Sequence, residues 1–509
     1  MNTLRTVLAL ALAMIPVAAM PAATPCEQLA KLSFPDARID TAENVPAGDF
    51  AVPVRDPNAP QRRPQVLTKL PAFCRVSATL TPSPDSDIKV EVWLPAADWN
   101  GTYQAEGNGG WGGVISYSAM ADALRRGFAT SSTDTGHSTA GGSFALGHPE
   151  RVIDFGWRSE HEMTVKAKVL VAAFYGNDPK FSYWNGCSTG GRQGLKEATQ
   201  FPNDYDGIVS GDAANPRAHL DTWQLIAKLA VNKDGAIIPS EKFSIIHQAA
   251  LAACDAHDGV KDGLIDNPEA CHFDPAVLTC KDADAPNCLT AKQVVTAKAV
   301  MSPAYDANGR EYWHGWEAGS ELNWNSRNIV NGGEPAAVDH FRYVVYRNAD
   351  WDYHTLDPKT IVAAAEHADP GIIDVFQTDL SAFARHGGKL ISYHGWADTM
   401  VAPRGTLDYY AAVQQTMGKE ATAGFVRVFM IPGMGHCSGG DGAPDHFDTT
   451  AAIQQWIEHG KAPEQIIGAN VKDGRVTRSR PLCAYPAVAR YNGTGSTDDA
   501  ANFTCRAPF

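Results

Sequence analysis

The residue types most able to do chemistry in this chain lie in one glycine-flanked segment. Gly186-Cys187-Ser188-Thr189-Gly190 fits the pattern G-x-S-x-G, and it stands between a predicted strand and a predicted helix. In that context the pattern is typical of a nucleophile elbow, a sharp turn that lifts a serine oxygen above the edge of a sheet. We therefore predict Ser188 as a nucleophile, with a glycine-rich loop without chemistry as the alternative.

A serine hydroxyl needs a base, and that base needs a carboxylate to orient it. Asp398 follows a predicted strand at residues 389–393, and His436 follows a predicted strand at residues 425–431. A turn acid and a surface histidine are the respective alternatives. The order serine, acid, histidine is that of α/β-hydrolases, and it favours a triad of Ser188, Asp398 and His436.

An ester-cleaving serine also needs two N–H donors for the oxyanion. The elbow offers the backbone N–H of Thr189, the residue after the nucleophile. The second donor is expected in the glycine-rich loop at residues 107–113, where Gly110 is preferred over Gly109. A phosphate loop is the alternative, but no Gly-Lys-Ser/Thr follows it.

The first residues predict export. Arg5 precedes an apolar run at residues 7–19, and small residues follow up to Ala23. This is the pattern of a signal peptide over residues 1–23, which implies a secreted or periplasmic protein. A membrane anchor is the alternative, but the run is shorter than the roughly 20 residues that span a bilayer.

Ten cysteines follow this segment, and an even number in an exported chain favours disulfides. Free thiols and a metal site are the alternatives, although no C-x-x-C pair is present. Cys187 and Cys437 adjoin Ser188 and His436, so a bond between them would tie nucleophile to base, with a purely structural bond as the alternative. Proximity in sequence pairs the other eight as Cys26–Cys74, Cys254–Cys271, Cys280–Cys288 and Cys483–Cys505.

Composition and patterning describe the rest of the molecule. The chain of 509 residues is 44% hydrophobic and 20% charged, as in ordinary globular proteins. Its net charge of −14 and lack of a basic cluster argue against nucleic acid as a partner. Oligomeric state is left open.

Strand and helix patterns alternate outside the middle of the chain, which predicts a mostly parallel sheet with helices on both faces. Residues 88–94 read as a half-buried strand. The middle holds four cysteines, many aromatic residues and little strand pattern. We predict a catalytic domain at residues 24–211 and 386–509, interrupted by an inserted domain at residues 212–385.

The Cys187-Ser188, Asp398 and His436-Cys437 arrangement resembles the tannase and feruloyl esterase family, whose signature is a disulfide-bridged triad. Further segments across nearly the whole mature chain resemble the same family, namely residues 133–137, 186–192, 206–209, 432–440 and 480–483. The resemblance implies an α/β-hydrolase fold whose insertion is a lid, and hydrolysis of esters of hydroxylated aromatic acids.

The resemblance also implies a calcium ion in the lid. Residues 255–266 space hard oxygen ligands through a glycine-bent loop, which suits calcium but is not an EF-hand. A solvated acidic loop is the alternative. The implied ligands are the side chains of Asp255, Asp258 and Asp262 and the carbonyls of Val260 and Leu264.

The preferred acyl group is expected to depend on the lid. Feruloyl esters rank first, galloyl esters second, and MHETase-like hydrolysis of terephthalate monoesters third. Arg342 is a candidate for binding a terephthalate carboxylate, with a surface salt bridge as the alternative.

The alternative from a different class of function is a calcium-dependent binder of plant polymers. Asp134 and His137 are interpreted as a loop with a buried histidine, outside the site.

Overall fold

The computed structural model describes residues 23–53, 65–231 and 235–508. Residues 1–22 of the predicted signal peptide lie outside these ranges. Within them, no helix combines the length and the apolar character that crossing a membrane requires.

Strands and helices alternate through much of the chain. The strands of the described residues, in chain order, are β1 (Ala37–Val45), β2 (Gly48–Ala51), β3 (Val66–Leu70), β4 (Phe73–Leu80), β5 (Ile88–Pro95), β6 (Thr102–Glu106), β7 (Ala129–Thr133), β8 (Phe181–Cys187), β9 (Gly207–Gly211), β10 (Ala304–Tyr305), β11 (Glu311–Trp313), β12 (Lys389–Gly395), β13 (Val426–Ile431), β14 (Gln465–Lys472), β15 (Arg475–Cys483), β16 (Val488–Tyr491) and β17 (Phe503–Arg506).

The α-helices of the same ranges vary from short turns to a helix of seventeen residues. They are α1 (Tyr117–Arg125), α2 (Pro149–Ile153), α3 (Ser159–Tyr175), α4 (Thr189–Gln200), α5 (Arg217–Val231), α6 (Phe243–Cys254), α7 (Ala291–Met301), α8 (Val338–His340), α9 (Ile361–Ala368), α10 (Ser381–His386), α11 (Arg404–Met417), α12 (Lys419–Ala423) and α13 (Thr449–His459).

Nine strands form the central sheet, in the order β1-β4-β5-β7-β6-β8-β9-β12-β13. The pairs from β7 to β13 are parallel, and the three pairs from β1 to β7 are antiparallel. The carboxyl ends of β8, β12 and β13, which precede the predicted triad residues, therefore meet at one edge of the sheet. The predicted α/β-hydrolase fold with a mostly parallel sheet is confirmed.

Both faces of this sheet are buried under helices. Ile208 and Leu390 belong to the core on the face that α3 and α4 cover. Their chain neighbours Val209 and Ile391 belong to a second core, which α13 covers with Ile453 and other residues. Successive side chains of a strand point to opposite faces, so each central strand contributes to both cores.

The burial of strand β5 differs from what the sequence pattern predicts. Residues 88–94 were expected to be half-buried, yet all but Lys89 are buried. The reason is that β5 lies between β4 and β7, and both of its faces are covered, with Val92 in one core and Trp93 in another. The buried carboxylate of Glu91 in this strand has a protein partner, because its Oε1 accepts a hydrogen bond of 2.6 Å from Arg75 Nη2.

The insertion lies between β9 and β12, two neighbouring parallel strands of the sheet. Its strands β10 and β11 pair only with each other. Much of it packs on an aromatic core that includes Trp223, Trp313, Trp316 and Trp324, and that Val401 and Ala402 join from beyond the insertion. The boundaries of residues 212–385 as a separate lid domain stay a prediction.

All five expected disulfide bonds are present, and each of the ten cysteines is bonded. The four bonds between near neighbours in sequence join Cys26 to Cys74, Cys254 to Cys271, Cys280 to Cys288 and Cys483 to Cys505. The fifth bond, between Cys187 and Cys437, links residues 250 positions apart.

Candidate active site

Ser188 stands at the sharp turn between β8 and α4. Its backbone has φ 64° and ψ −122°, a strained conformation for a residue with a side chain. The turn is tight because a side-chain carbon at Gly186 would lie 2.5 Å from the backbone of Gly190. The Ser188 N–H donates to Gly211 O at 2.9 Å, which fixes the turn to β9. This is the geometry of a nucleophile elbow.

His436 and Asp398 are in direct contact beside this turn. His436 Nδ1 lies 2.6 Å from Asp398 Oδ2. The other carboxylate oxygen of Asp398 accepts hydrogen bonds from the N–H groups of Met400 at 2.7 Å and Val401 at 3.0 Å. His436 Nε2 is buried and has no hydrogen-bond partner in the described part of the chain. The imidazole is therefore oriented at one nitrogen and free to accept a proton at the other.

The bond between Cys187 and Cys437 brings the elbow and the histidine loop together. Their Cα atoms lie 6.0 Å apart. Because Ser188 follows Cys187 and His436 precedes Cys437, the bond holds Ser188 and His436 on neighbouring backbone segments.

The two predicted oxyanion donors are also close to each other. Thr189 Oγ1 donates a hydrogen bond of 2.5 Å to Gly110 O, which joins the glycine loop to the start of α4. The N–H groups of Gly110 and Thr189 donate to no backbone oxygen in the described ranges. Gly110 has φ +59°, a conformation that favours glycine. The role of both as oxyanion donors stays a prediction.

The charged forms of Asp398 and His436 stabilise each other. Burial alone would raise the pKa of Asp398, but the charge and hydrogen bonds of His436 and His394 outweigh it and hold that pKa well below its usual range. Burial would lower the pKa of His436, and the charge of Asp398 outweighs it, so that this pKa is raised. The carboxylate is thus ionised, as a group that stabilises an imidazolium must be.

The structure places a second imidazole, that of His394, beside this pair. His394, the penultimate residue of β12, is fully buried. Its Nε2 lies 3.1 Å from Asp398 Oδ2 and 3.6 Å from Asp212 Oδ1, and its Nδ1 lies 2.7 Å from Thr406 Oγ1. The position of His394 at the end of a predicted strand, close to the predicted acid Asp398, was the signal in the sequence that could have indicated its place in the site.

Asp212 completes this network. It directly follows β9, and its Oδ1 accepts a hydrogen bond of 3.1 Å from the Gly395 N–H. Burial raises its pKa to about 6, with His394 acting in the opposite direction. In the sequence analysis Asp212 marked only the beginning of the insertion. It is one wall of the site, 3.5 Å from Cys187 Sγ.

The loop with His137 lies behind the glycine loop, as interpreted from the sequence. The His137 ring is buried, stacks on Phe144 at 3.8 Å and places Nε2 at 2.7 Å from Trp111 O. Burial lowers the pKa of His137 to about 4. Asp134 Oδ1 accepts from the Gly136 N–H at 2.9 Å. The His137 side chain therefore contacts the loop that carries Gly110, whereas the Asp134 side chain holds its own turn.

The predicted calcium ligands lie in a turn after α6. The Asp255 carboxylate accepts hydrogen bonds from the N–H groups of Asp262 and Gly263 at 3.1 and 3.0 Å. Asp262 Oδ2 pairs with the buried Arg480. Three sets of three His, Cys, Asp or Glu side chains in the described ranges gather their ligand atoms within 4.8 Å, and none includes a residue of this loop.

Other oxygens of the same turn lack partners. Asp258 Oδ2 and Asp266 Oδ2 are buried without a hydrogen-bond donor. The carbonyls of Val260 and Leu264 accept no hydrogen bond from the residues that the structure describes. Burial raises the pKa of both Asp258 and Asp266, and for Asp266 the charge of Asp258 adds to it. Hard, unpartnered oxygens of this kind fit a calcium ion, whose presence stays a prediction.

Comparison with known proteins agrees with this fold. Residues 74–506 match the family described as tannase and feruloyl esterase. An uncharacterized esterase of Xanthomonas campestris pv. campestris is 36% identical over 95% of this chain and 91% of its own length. A probable feruloyl esterase B of Aspergillus clavatus is 36% identical over 93% of this chain and 94% of its own.

The crystal structure of feruloyl esterase B from Aspergillus oryzae superposes with a TM-score of 0.88 at 33% identity, and covers 94% of this chain and 99% of that one. Fold and relatives define a carboxylic ester hydrolase with an α/β-hydrolase fold. The chain belongs to the tannase and feruloyl esterase family, as its resemblance implied. This favours the enzyme over the polymer-binding alternative.

Proposed function

We propose that this protein is a serine esterase that hydrolyses esters of hydroxylated aromatic acids, feruloyl esters first, through an acyl-enzyme on Ser188. The observation that carries the proposal is the bond between Cys187 and Cys437, which joins the elbow serine to a histidine already 2.6 Å from Asp398. Relatives named as probable feruloyl esterases support the choice of acyl group.

In the first step, Ser188 Oγ attacks the ester carbonyl carbon while its proton passes to His436 Nε2. The carbonyl oxygen becomes an oxyanion, which the N–H groups of Gly110 and Thr189 would stabilise. The carbon–oxygen bond to the alcohol then breaks, and His436 Nε2 returns the proton to the departing alkoxide. The aromatic acid remains as an ester of Ser188.

In the second step, His436 takes a proton from water as the water oxygen attacks the acyl carbon. A second oxyanion collapses, the bond to Ser188 Oγ breaks, and the serine regains its proton from His436. Asp398 keeps Nδ1 protonated throughout and so leaves Nε2 as the working nitrogen.

The test is a comparison of methyl ferulate, methyl gallate and a terephthalate monoester, with release of free acid measured by chromatography. We expect the highest kcat/KM on methyl ferulate, and loss of all three activities in Ser188→Ala. Ser438→Ala, on the loop after Cys437, is the matched control and should keep activity. Preference for gallate would make the protein a tannase. Hydrolysis of none of them, or activity unchanged in Ser188→Ala, would contradict the proposal.

We propose further that residues 212–385 are a lid over this site, braced by one calcium ion. Asp255, Asp258, Asp262, Val260 and Leu264 would hold the ion through side-chain and carbonyl oxygens. The ion would supply positive charge to a turn in which Asp258 and Asp266 are buried close to each other. It takes no part in the reaction steps.

Removal of calcium tests the lid site without any activity measurement. A chelator should lower the melting temperature by several degrees, and added calcium should restore it because a ligand that binds only the folded state stabilises it. Asp258→Asn should lose most of this response. Asp306→Asn changes a half-buried acid in another turn of the insertion and should retain it. A melting temperature insensitive to chelator would contradict the site.

We also propose that the protein is exported. Five disulfide bonds support an oxidising compartment. Fractionation of cells that express the full chain, with determination of the mature amino terminus between Met20 and Thr24, tests this. Retention of residues 1–23 on a cytoplasmic protein would contradict it.

A further inference from the structure

The glycine-rich loop that carries Gly110 is held by a buried pair of side-chain amides. Asn108 of this loop and Gln193 of α4 are 4% and 1% exposed. The Asn108 N–H donates to Gln193 Oε1 at 3.0 Å, and Gln193 Nε2 donates to Asn108 Oδ1 at 3.1 Å. Two hydrogen bonds therefore join one residue of the loop to one residue of the helix that begins at Thr189.

The other polar groups of Asn108 are bonded as well. Its Nδ2 donates to Val114 O and Thr133 O, both at 2.8 Å. Its own carbonyl accepts a hydrogen bond of 2.7 Å from the Gly190 N–H. Because carbonyl oxygens only accept, the two partners of Nδ2 fix the orientation of this amide, with Oδ1 towards Gln193. One residue thus ties the loop to β7, to the segment after the loop and to α4.

The amide of Gln193 is fixed in the same way. Its Nε2 donates to Glu160 Oε1 as well as to Asn108, and its Oε1 accepts from the loop. Glu160 is buried in the first turn of α3. The side chain of Gln193 therefore lies between α3 and the loop, with its donor and its acceptor both engaged.

The loop and the start of α4 also lie too close for side chains between them. A side-chain carbon at Gly107 would lie 2.6 Å from Gly190 Cα, and one at Gly190 would lie 3.1 Å from Asn108 O. Thr189 Oγ1 adds its hydrogen bond of 2.5 Å to Gly110 O. The two segments that carry the candidate oxyanion donors therefore pack backbone against backbone, and both the amide pair and the Thr189 hydroxyl hold them together.

We propose that the paired amides of Asn108 and Gln193 set the separation of the two candidate oxyanion donors, which makes both of them positioning residues. The Thr189 hydroxyl acts in the same way through its bond to Gly110 O. The inference rests on the proposed function, because the separation of these N–H groups matters only if they stabilise the oxyanion of an ester.

The position of the amide pair explains how it acts on both donors. Gly110 is two residues after Asn108 in the loop, and Thr189 is about one helical turn before Gln193 in α4. A shift between the two amides is therefore carried to both N–H groups. Oxyanion donors stabilise charge because they are held in place before it develops. Loss of the pair should thus weaken binding of the transition state and leave binding of the ester unchanged.

The first test replaces Gln193 with Met, which has a similar length but can form neither hydrogen bond. In Gln193→Met we expect kcat on methyl ferulate to fall at least about tenfold while KM changes by less than about threefold. Gln293→Met is the matched control. Gln293 of α7 is also buried, and its Oε1 accepts from the Thr290 N–H at 3.0 Å. This variant should have a lower melting temperature and an unchanged kcat.

A second readout follows the oxyanion itself. In 2,2,2-trifluoroacetophenone, Ser188 Oγ adds to the ketone carbon, the carbonyl oxygen becomes an oxyanion, and the serine proton passes to His436. In Gln193→Met the inhibition constant of this ketone should rise by about the factor by which kcat/KM falls. That of free ferulate, which forms no oxyanion, should stay within about threefold. Neither constant should change in Gln293→Met.

Thr189→Val removes the hydroxyl but keeps the backbone N–H, and it is the milder change if Gln193→Met does not fold. In Thr189→Val kcat should fall and the inhibition constant of the ketone should rise. Thr189→Ser, which restores the hydroxyl, should recover most of the loss.

The proposal is overturned if folded Gln193→Met keeps kcat within about twofold of wild type, or loses no more of it than Gln293→Met. It is also overturned if kcat falls in Gln193→Met while the affinity for the ketone stays the same. Where Gln193→Met does not fold, a Thr189→Val variant with wild-type kcat overturns it.

The proposed function and this inference can fail separately. Hydrolysis by the wild type, lost in Ser188→Ala, establishes the esterase whatever the amide pair does. If the wild type hydrolysed none of the three esters, the ketone would still test the amide pair, because its adduct needs Ser188 and the donors but no particular ester. A wild type that neither cleaves the esters nor binds the ketone would overturn both.

Discussion

His394 Nε2 lies 3.1 Å from the same oxygen of Asp398 that contacts the candidate base, His436. Two imidazoles therefore share one carboxylate oxygen, with Asp212 as a further acid beside His394. The charge of a protonated His394 lowers the pKa of His436, whereas the charges of Asp398 and Asp212 raise it. We therefore expect His394 to act on the candidate base through Asp398, as a positioning residue.

The first prediction concerns the acid side of the pH profile. His436 must be neutral to accept a proton, and its pKa is raised. Activity should therefore fall as pH decreases through an apparent pKa above the usual value of about 6.5. In His394→Gln the opposing charge is gone, so the pKa of His436 rises further and the acid limb of kcat/KM moves to higher pH.

His148→Gln is the control for this change. That histidine pairs with Asp85, near the other end of the central sheet, and its loss should leave the limb in place. Full pH profiles of kcat/KM for the three proteins provide the measurement. A limb that stays in place or moves to lower pH in His394→Gln would show that His394 does not act through charge.

A second prediction tests the bond between Cys187 and Cys437. Cys187→Ala/Cys437→Ala should lower kcat/KM at least about tenfold in the folded protein, because a misplacement near 1 Å can cost far more than that. The double variant Cys280→Ala/Cys288→Ala removes a bond that closes a short loop within the insertion, and it should remain active. Kinetics with melting temperatures on the same samples separate activity from stability. Equal loss of activity in both variants would make the bond merely structural.

The third prediction concerns the oxyanion donors. Gly110→Ala places a side chain at φ +59°, where the added carbon meets no other atom but the backbone is strained. The resulting backbone shift should displace the N–H and lower kcat by up to about 10²–10³. Gly109→Ala is the natural control, since its φ lies outside the left-handed range and its added carbon also meets nothing. If Gly109→Ala were the slower enzyme, the donor would be misassigned.

A fourth prediction links stability to pH through Glu106, the last residue of β6. Burial raises its pKa to about 8, although Gln104 and Asn185 donate hydrogen bonds to it. The folded state therefore holds a proton that the unfolded state releases near pH ~4.3. The free energy of unfolding should fall as pH rises between those values, by at most about 1.4 kcal/mol per pH unit.

Glu106→Gln cannot ionise and should lack this dependence. Denaturant unfolding at pH 5, 6.5 and 8 gives the free energy of unfolding of each protein. The value for wild type minus the value for the variant should decrease at each step. The exposed acid Glu420 provides the control, since Glu420→Gln should leave the slope unchanged. A difference between wild type and Glu106→Gln that is independent of pH would contradict the buried, protonated carboxyl.

Much of the frame could be predicted because its signals are local. The predicted strands at residues 389–393 and 425–431 end within two residues of the observed ends of β12 and β13. The elbow pattern, the order of the triad and the even number of cysteines are also readable along the chain. These features depend on neighbours in sequence, or on the rule that parallel strands end at one edge.

Features that depend on distant partners could not be predicted. The alternation of β5 suggested an exposed face, and only the neighbouring strands and helices show that both faces are covered. Asp212 and His394 lie close together only because β9 and β12 pair as neighbouring parallel strands. The sequence also could not show that Arg342 is neutralised, because its Nη1 and Nη2 donate to Glu334, both at 2.8 Å, only once the insertion has folded. This surface salt bridge was the alternative interpretation of Arg342.

The bond between Cys187 and Cys437 closes a ring of covalent bonds that contains the whole insertion. A protease that cuts once anywhere between those two cysteines opens the ring but does not divide the molecule. The two fragments stay joined through the residues next to Ser188 and His436, provided that the bond is oxidised. The exposed turns of the insertion can therefore be nicked without the two halves of the catalytic domain drifting apart.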